Sequence, residues 1–210
     1  MLNKYLSTLT LLAFAGLGGY ASAGVINGSF ETGDLTGYDY VGNVNVVTSS
    51  TSYAGNDYYA TDGNYFVEIN TDSDFYDDCS VLSPDATNCS AIGTSASLYG
   101  GQTLNFDWAF LTEDYDPFFD FAVFIVDDFG NTYDLASVAT VGDYGETGWN
   151  SFSWTATSSG TYEMIFAASN FLDDGVNSKL LVDNINVIPE PVSIALLGLG
   201  LVGIRFAKRK

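Results

Sequence analysis

The chain has 210 residues, 26 of them acidic and 6 basic, with two cysteines and no histidine. Lys4, Arg205, Lys208, Arg209 and Lys210 lie in the two terminal segments, so residues 24–188 carry 25 acidic residues against Lys179 alone, a net of −24. A surface of that sign repels nucleic acid and anionic membrane, attracts cations and suits a saline medium. The missing histidine removes Ser-His, Cys-His and His-metal chemistry, and two cysteines without histidine make no usual zinc site.

From the N-terminus, Lys4 stands in a short polar head, an apolar stretch runs from Leu9 to Leu17, and Ala21-Ser22-Ala23 follows. That order is a secretory signal helix, with cleavage expected after Ala23. Residues 24–188 are enough for one domain with a real core. They show no internal repeat and no helical periodicity. Short alternating or apolar runs rich in aromatic and β-branched residues recur at 43–49, 64–70, 95–99, 102–110, 120–127, 132–138, 150–156, 161–168 and 179–188. Gly, Asn, Asp and Ser separate them, as they separate strands.

Within the fourth run, Leu104, Phe106, Trp108 and Phe110 share one face while Asn105 and Asp107 share the other, the pattern of a strand with one wet face. FAVFIV (121–126) is apolar on both faces and reads as a central strand. The expected fold is therefore all-β, a single jelly-roll β-sandwich.

Cys79 and Cys89 stand ten residues apart in a polar loop, which in an exported chain reads as a disulfide, with a pair of free thiols as the alternative. Asp183 sits inside the apolar run LLVDNI and needs a partner there. Glu31 follows Phe30, a core anchor, near the start of the domain. Because the first and last strands of a sandwich often lie close, a calcium ion bridging Glu31 and Asp183 is one expectation. Hydrogen bonds from loop N–H groups to Asp183 are the other.

After the domain come Pro189-Glu190-Pro191, an apolar run from Val192 to Ile204, and a basic tip. Extended to Ala207 the run is about 24 Å as a helix, against a hydrocarbon core of about 30 Å. It is a short transmembrane helix that spans marginally, with the basic tip on the cytoplasmic side.

NGSFETGDLTGY (27–38), DGNYFVEIN, GWNSFSWTA, GTYEMIFAASN and LLVDNI, in this order, resemble the galactose-binding-like jelly-roll domains that include several carbohydrate-binding modules. The resemblance covers most of residues 24–188. It implies that Glu31 and Asp183 ligate a structural calcium, with Asp62 of DGNYF as a further ligand. It carries over no sugar-binding residue.

The last 22 residues resemble the PEP-CTERM sorting signal, with Pro189, Glu190 and Pro191 as the recognised motif. This implies a Gram-negative source and transient inner-membrane anchoring. It also implies processing by an exosortase-type enzyme, and a final place at the cell surface or outside. FDWAFLTEDYDPFFDFAVFIVD (106–127) is similar to a stretch of PEP-CTERM proteins. Its loop of Glu113, Asp114, Asp116 and Asp120 reads either as a solvated loop or as a second cation site.

The expected role is a non-enzymatic surface or matrix protein binding or organising exopolysaccharide in a biofilm. Aromatic rings stack on sugars through their apolar faces, and Tyr58, Tyr59, Tyr115 and Trp149 are the candidate platforms. For Trp149 core packing competes, since GWNSFSW opens a strand. The alternatives are a small glycoside hydrolase or lyase using paired carboxylates, although no pair stands out among so many, and a purely structural acidic protein.

Overall fold

The period of two in side-chain character builds twelve strands among residues 24–72 and 79–188, which this computed structural model describes. They are β1 (Asp39–Val41), β2 (Asn43–Val47), β3 (Ser50–Thr51), β4 (Asp57–Tyr58), β5 (Phe66–Asn70), β6 (Ala86–Leu98), β7 (Thr103–Thr112), β8 (Phe121–Val126), β9 (Asp128–Ser137), β10 (Asn150–Thr155), β11 (Gly160–Phe171) and β12 (Ser178–Ile188). A single helical turn, α1 (Val138–Val141), follows β9.

Ten strands form two antiparallel sheets, ordered β1-β6-β11-β8-β9 and β10-β7-β12-β5-β2; β3 and β4 pair by themselves. The fold is a β-sandwich, all-β as expected. Leu104, Phe106, Trp108 and Phe110 of β7 face Ile92, Phe124, Met164 and Phe166 of the other sheet in one core. β8 lies inside its sheet, and Val123 and Ile125 on its other face are buried too.

The nine expected runs fall on strands of the two sheets. The run at 95–99 is only the end of β6, which begins at Ala86. Its first half, ATNCSAIG, is small and polar and shows no alternation, yet β11 pairs along it and β1 covers part of its other edge.

β12 carries a register shift between Asp183 and Asn186, with Asn184 at φ 53°. Before the shift Leu180 and Val182 point into the core; after it Ile185 does. A bulge of this kind re-aims side chains, and asparagine tolerates the left-handed backbone.

Cys79 and Cys89 form the disulfide, which ties a one-turn 3-10 helix (Cys79–Val81) to β6. The closed loop is short, so replacing both cysteines with serine is expected to cost no more than about 2–3 kcal/mol, a drop of several degrees in melting temperature by calorimetry. An unfolded double variant would show that the bond is needed to form the fold.

The N-terminal signal (1–23) and the Pro189-Glu190-Pro191 motif with its apolar run and basic tip (189–210) lie outside the described residues. Among the described residues no helix is long and apolar enough to cross a membrane.

Candidate functional site

Phe66, Ala109, Leu111 and Leu181 project from the outer face of the β10-β7-β12-β5-β2 sheet, away from the main core. Apolar side chains on an outer face need a cover. The β3–β4 hairpin and the loop 142–149 supply it with Tyr58 and Trp149. Trp149 meets Phe66 edge-on at 5.7 Å and Tyr58 at 6.2 Å, and its Nε1–H donates to the carbonyl of Tyr59 at 3.0 Å.

Glu146 joins the two covering segments by accepting from Asn56 Nδ2 and from the Tyr58 hydroxyl. Burial alone would raise its carboxyl, but hydrogen bonds from Asn56, Ser52 and Tyr58 outweigh that and hold it below the usual range. It stays an ionised acceptor at neutral pH. The Tyr58 hydroxyl is pushed up to about 12 by burial and by the Glu146 beside it, and remains a donor.

Between the covering segments opens a cleft of ≈ 610 Å³, lined by Asn56, Asp57, Tyr59, Glu146, Thr147 and Trp149 among others. A second hollow of ≈ 430 Å³, with Ser49, Ala60 and Asn64, shares Tyr59. Tyr59 is 62 % exposed where the two meet. Nearby, Tyr53 stacks on Tyr144 at 4.8 Å, and Tyr144 lies 5.7 Å from Tyr115.

Of the four rings expected as platforms, Tyr59 and Tyr115 are exposed and Trp149 is half-buried. Tyr58 is a correction. It is 7 % exposed, because the apolar outer face of the sheet draws its ring inward, so it lines the cleft without offering an exposed ring face. Tyr144 and Glu146 were not singled out in the sequence. Both lie in VGDYGETGW, where nothing local separates a wall residue from a solvated one.

Glu31, Asp62 and Asp183 converge on the turn 61–65. Asp183 is fully buried. Its Oδ2 accepts from the backbone N–H of Thr61 at 2.7 Å and of Asp62 at 2.9 Å, and its Oδ1 from that of Asn184 at 2.7 Å. The Thr61 hydroxyl is shared between Asp183 and Asp107. Burial pushes the Asp183 carboxyl above the usual range, and these donors pull it partly back.

Glu31 Oε1 accepts from the N–H groups of Asn64 and Tyr65, which hold its carboxyl low. Asp62 accepts from the Ser29 hydroxyl at 2.7 Å. At Gly63, φ 76°, a Cβ would run into the Glu31 carboxylate, so the close approach requires glycine. The groups facing Glu31 and Asp183 are N–H and O–H donors. These donors satisfy Asp183 and Oε1 of Glu31; a calcium ion there would call for oxygen ligands in their place. Among the described residues no three acidic or cysteine side chains are grouped to hold a metal.

The loop 113–120 is only partly solvated. Glu113 and Asp116 are exposed, but Asp114 and Asp120 are fully buried. They continue the inner faces of β7 and β8, which explains why an acidic stretch is not all at the surface.

No family model matches the chain, and no curated protein matches it. Among solved structures the chain is similar to TmCBM61 in complex with β-1,4-galactotriose, at 18% identity and TM-score 0.49, covering 80% of this chain and 100% of that one. It is also similar to CBM27-1 of Caldicellulosiruptor saccharolyticus in complex with mannohexaose, at 13% identity and TM-score 0.45, covering 81% and 99%. A third is a family 16 carbohydrate-binding module-2, at 14% identity and TM-score 0.43, covering 79% and 99%.

Proposed function

We propose that this chain is an exported, non-enzymatic surface or matrix protein that binds exopolysaccharide in the cleft beside Tyr59. The observation that carries the reading is the exposed Tyr59 ring, set between two hollows whose walls offer the Trp149 ring, the Glu146 carboxylate and the Asn56 amide. An aromatic face with hydrogen-bonding groups at its edge suits a sugar ring, which has an apolar face and a hydroxyl rim. With a net charge of −24 over residues 24–188, the matching ligand is a neutral polysaccharide, since an anionic one would be repelled.

Export is part of the proposal, supported by the signal-like start and by the disulfide, a bond of oxidising compartments. So is sorting through Pro189-Glu190-Pro191, with an exosortase-type enzyme and the inner membrane as transient partners. Calcium at Glu31, Asp62 and Asp183 is the alternative account of the turn 61–65. In that account a chelator lowers the melting temperature, and Glu31→Gln or Asp183→Asn removes the response.

The test is affinity electrophoresis of the full chain in neutral polysaccharides, including that of the producing organism, with calcium present. Tyr59→Ala and Trp149→Ala are each expected to weaken binding about tenfold or more, as buried aromatic anchors do. Tyr99→Ala, exposed but lining neither hollow, should bind as the unaltered chain does. No retardation by any polysaccharide, or full retardation of Tyr59→Ala, overturns the reading.

A further inference from the structure

At one end of the sandwich the inner faces change from apolar to polar while staying buried. β7 runs Phe106, Trp108, Phe110 and then Thr112, with Asp114 beyond; β12 runs Val182, Leu180 and then Ser178; β8 begins after Asp120. Ser178 Oγ lies 2.7 Å from Asp120 Oδ2 and 2.8 Å from Thr112 Oγ1, and Thr112 Oγ1 accepts from the N–H of Asp114. Asp120 Oδ1 accepts from the N–H of Phe171.

The carboxyls of Asp114 and Asp120 also interact directly, and Asp173 adds its field to both. Burial first pushes both carboxyls up; Asp173 adds to this at both and Asp114 adds to it at Asp120, while the contact with Asp120 pulls Asp114 partly back. The only basic residue of the domain, Lys179, is 3.6 Å from Glu68. It does not compensate this end.

An independent set of atoms points to what does. The Asn170 side chain is fully buried, and neither its oxygen nor its nitrogen has a hydrogen-bond partner. Asn170 lies one register step beyond the Ser169–Phe121 pair, which puts it across from Asp120. On its other side the β11–β6 register shifts between Ser169 and Phe171, beside Asn88, whose Oδ1 is also buried and unpartnered. Asp114 Oδ2 has no donor either. Orphaned polar atoms are costly in an interior, and two amide oxygens together with a pair of carboxyls make the environment of a cation.

We propose that this buried layer is a second, cation-binding site, holding one divalent ion between Asp114 and Asp120 with amide oxygens of Asn170 and Asn88. The ligand atoms proposed are all oxygen, as hard cations require. The flexible mixture of carboxylate and amide suits Ca²⁺ better than Mg²⁺, which demands near-ideal octahedral geometry. The ion joins the loop after β7 to β6, β11 and the start of β8, so its role is to close this end of the sandwich. It is separate from the turn 61–65 and from the cleft.

The test uses the full chain, stripped with a chelator and titrated with Ca²⁺ alone in a calorimeter. One ion is expected to bind and to raise the melting temperature by several degrees. Asp120→Asn and Asp114→Asn should each weaken binding at least about a hundredfold, whereas Glu31→Gln with Asp183→Asn should leave it unchanged. Asn170→Asp keeps the size and adds a charged ligand, so it should bind more tightly; this variant decides the matter if the others fail to fold. No binding of Ca²⁺ by the unaltered chain overturns the proposal and leaves a shared proton between Asp114 and Asp120. Binding that survives both aspartate substitutions, or is lost only with Glu31 and Asp183, overturns it as well.

Discussion

Asp183→Ala is expected to destabilise the fold by about 2–3 kcal/mol, because it removes a fully buried acceptor from three part-buried main-chain donors without removing the donors. The N–H groups of Thr61, Asp62 and Asn184 all end on this carboxylate. The turn 61–65 would lose its attachment to the last strand, and with it the wall of the hollow beside Tyr59 that contains Ala60, Gly63 and Asn64. For a domain of this size the loss corresponds to roughly 10 °C in melting temperature.

Asp183→Asn keeps an acceptor on one oxygen, so it should cost clearly less than alanine. That ordering separates a hydrogen-bonded turn from a calcium-bridged one, in which the charge matters and asparagine would be as damaging as alanine. The measurement is urea unfolding with and without a chelator. A penalty for Asp183→Ala below about 1 kcal/mol would show that water satisfies the turn and that the carboxylate is dispensable.

Phe106→Ala is expected to cost about 3–5 kcal/mol. The ring is buried and meets Phe124 at 4.7 Å, Phe166 at 4.8 Å and Phe152 at 5.1 Å. These contacts run within its own sheet, to Phe152 on β10, and across to Phe124 and Phe166 of the other sheet. Removing the ring leaves a cavity that the rigid strands around it cannot collapse to fill. Phe106→Leu keeps most of the volume and should cost about 1–1.5 kcal/mol. In urea the midpoint should fall while the slope of the transition stays constant. An alanine penalty no larger than the leucine one would mean that the two sheets repack freely around the site.

The strands were legible where one wet face imposes alternation, as in Leu104-Asn105-Phe106-Asp107-Trp108, or where burial on both faces imposes a continuous apolar run, as in FAVFIV. The start of β6 was not legible, because ATNCSAIG alternates nothing and is held by the strands on either side. Glu31 and Asp183 were legible as a pair meeting in space, and Asp62 was added to them only by the resemblance. Their hydrogen-bond donors were not, since these are main-chain N–H groups whose direction depends on how the turn 61–65 lies. The burial of Tyr58 depends on the apolar outer face formed by Phe66, Ala109, Leu111 and Leu181, which come from three different strands.

By itself the sequence determined an acidic, histidine-free β-sandwich with one disulfide, because period, composition and spacing are properties of the chain read locally. Only the tertiary structure decided which of its many carboxylates are buried and which tyrosines stay exposed. Asp114 and Asp120 are written among solvated acids in the loop 113–120, and Tyr58 stands next to Tyr59. What separates them is which face of a packed sheet each one meets, and strands distant in the chain set that.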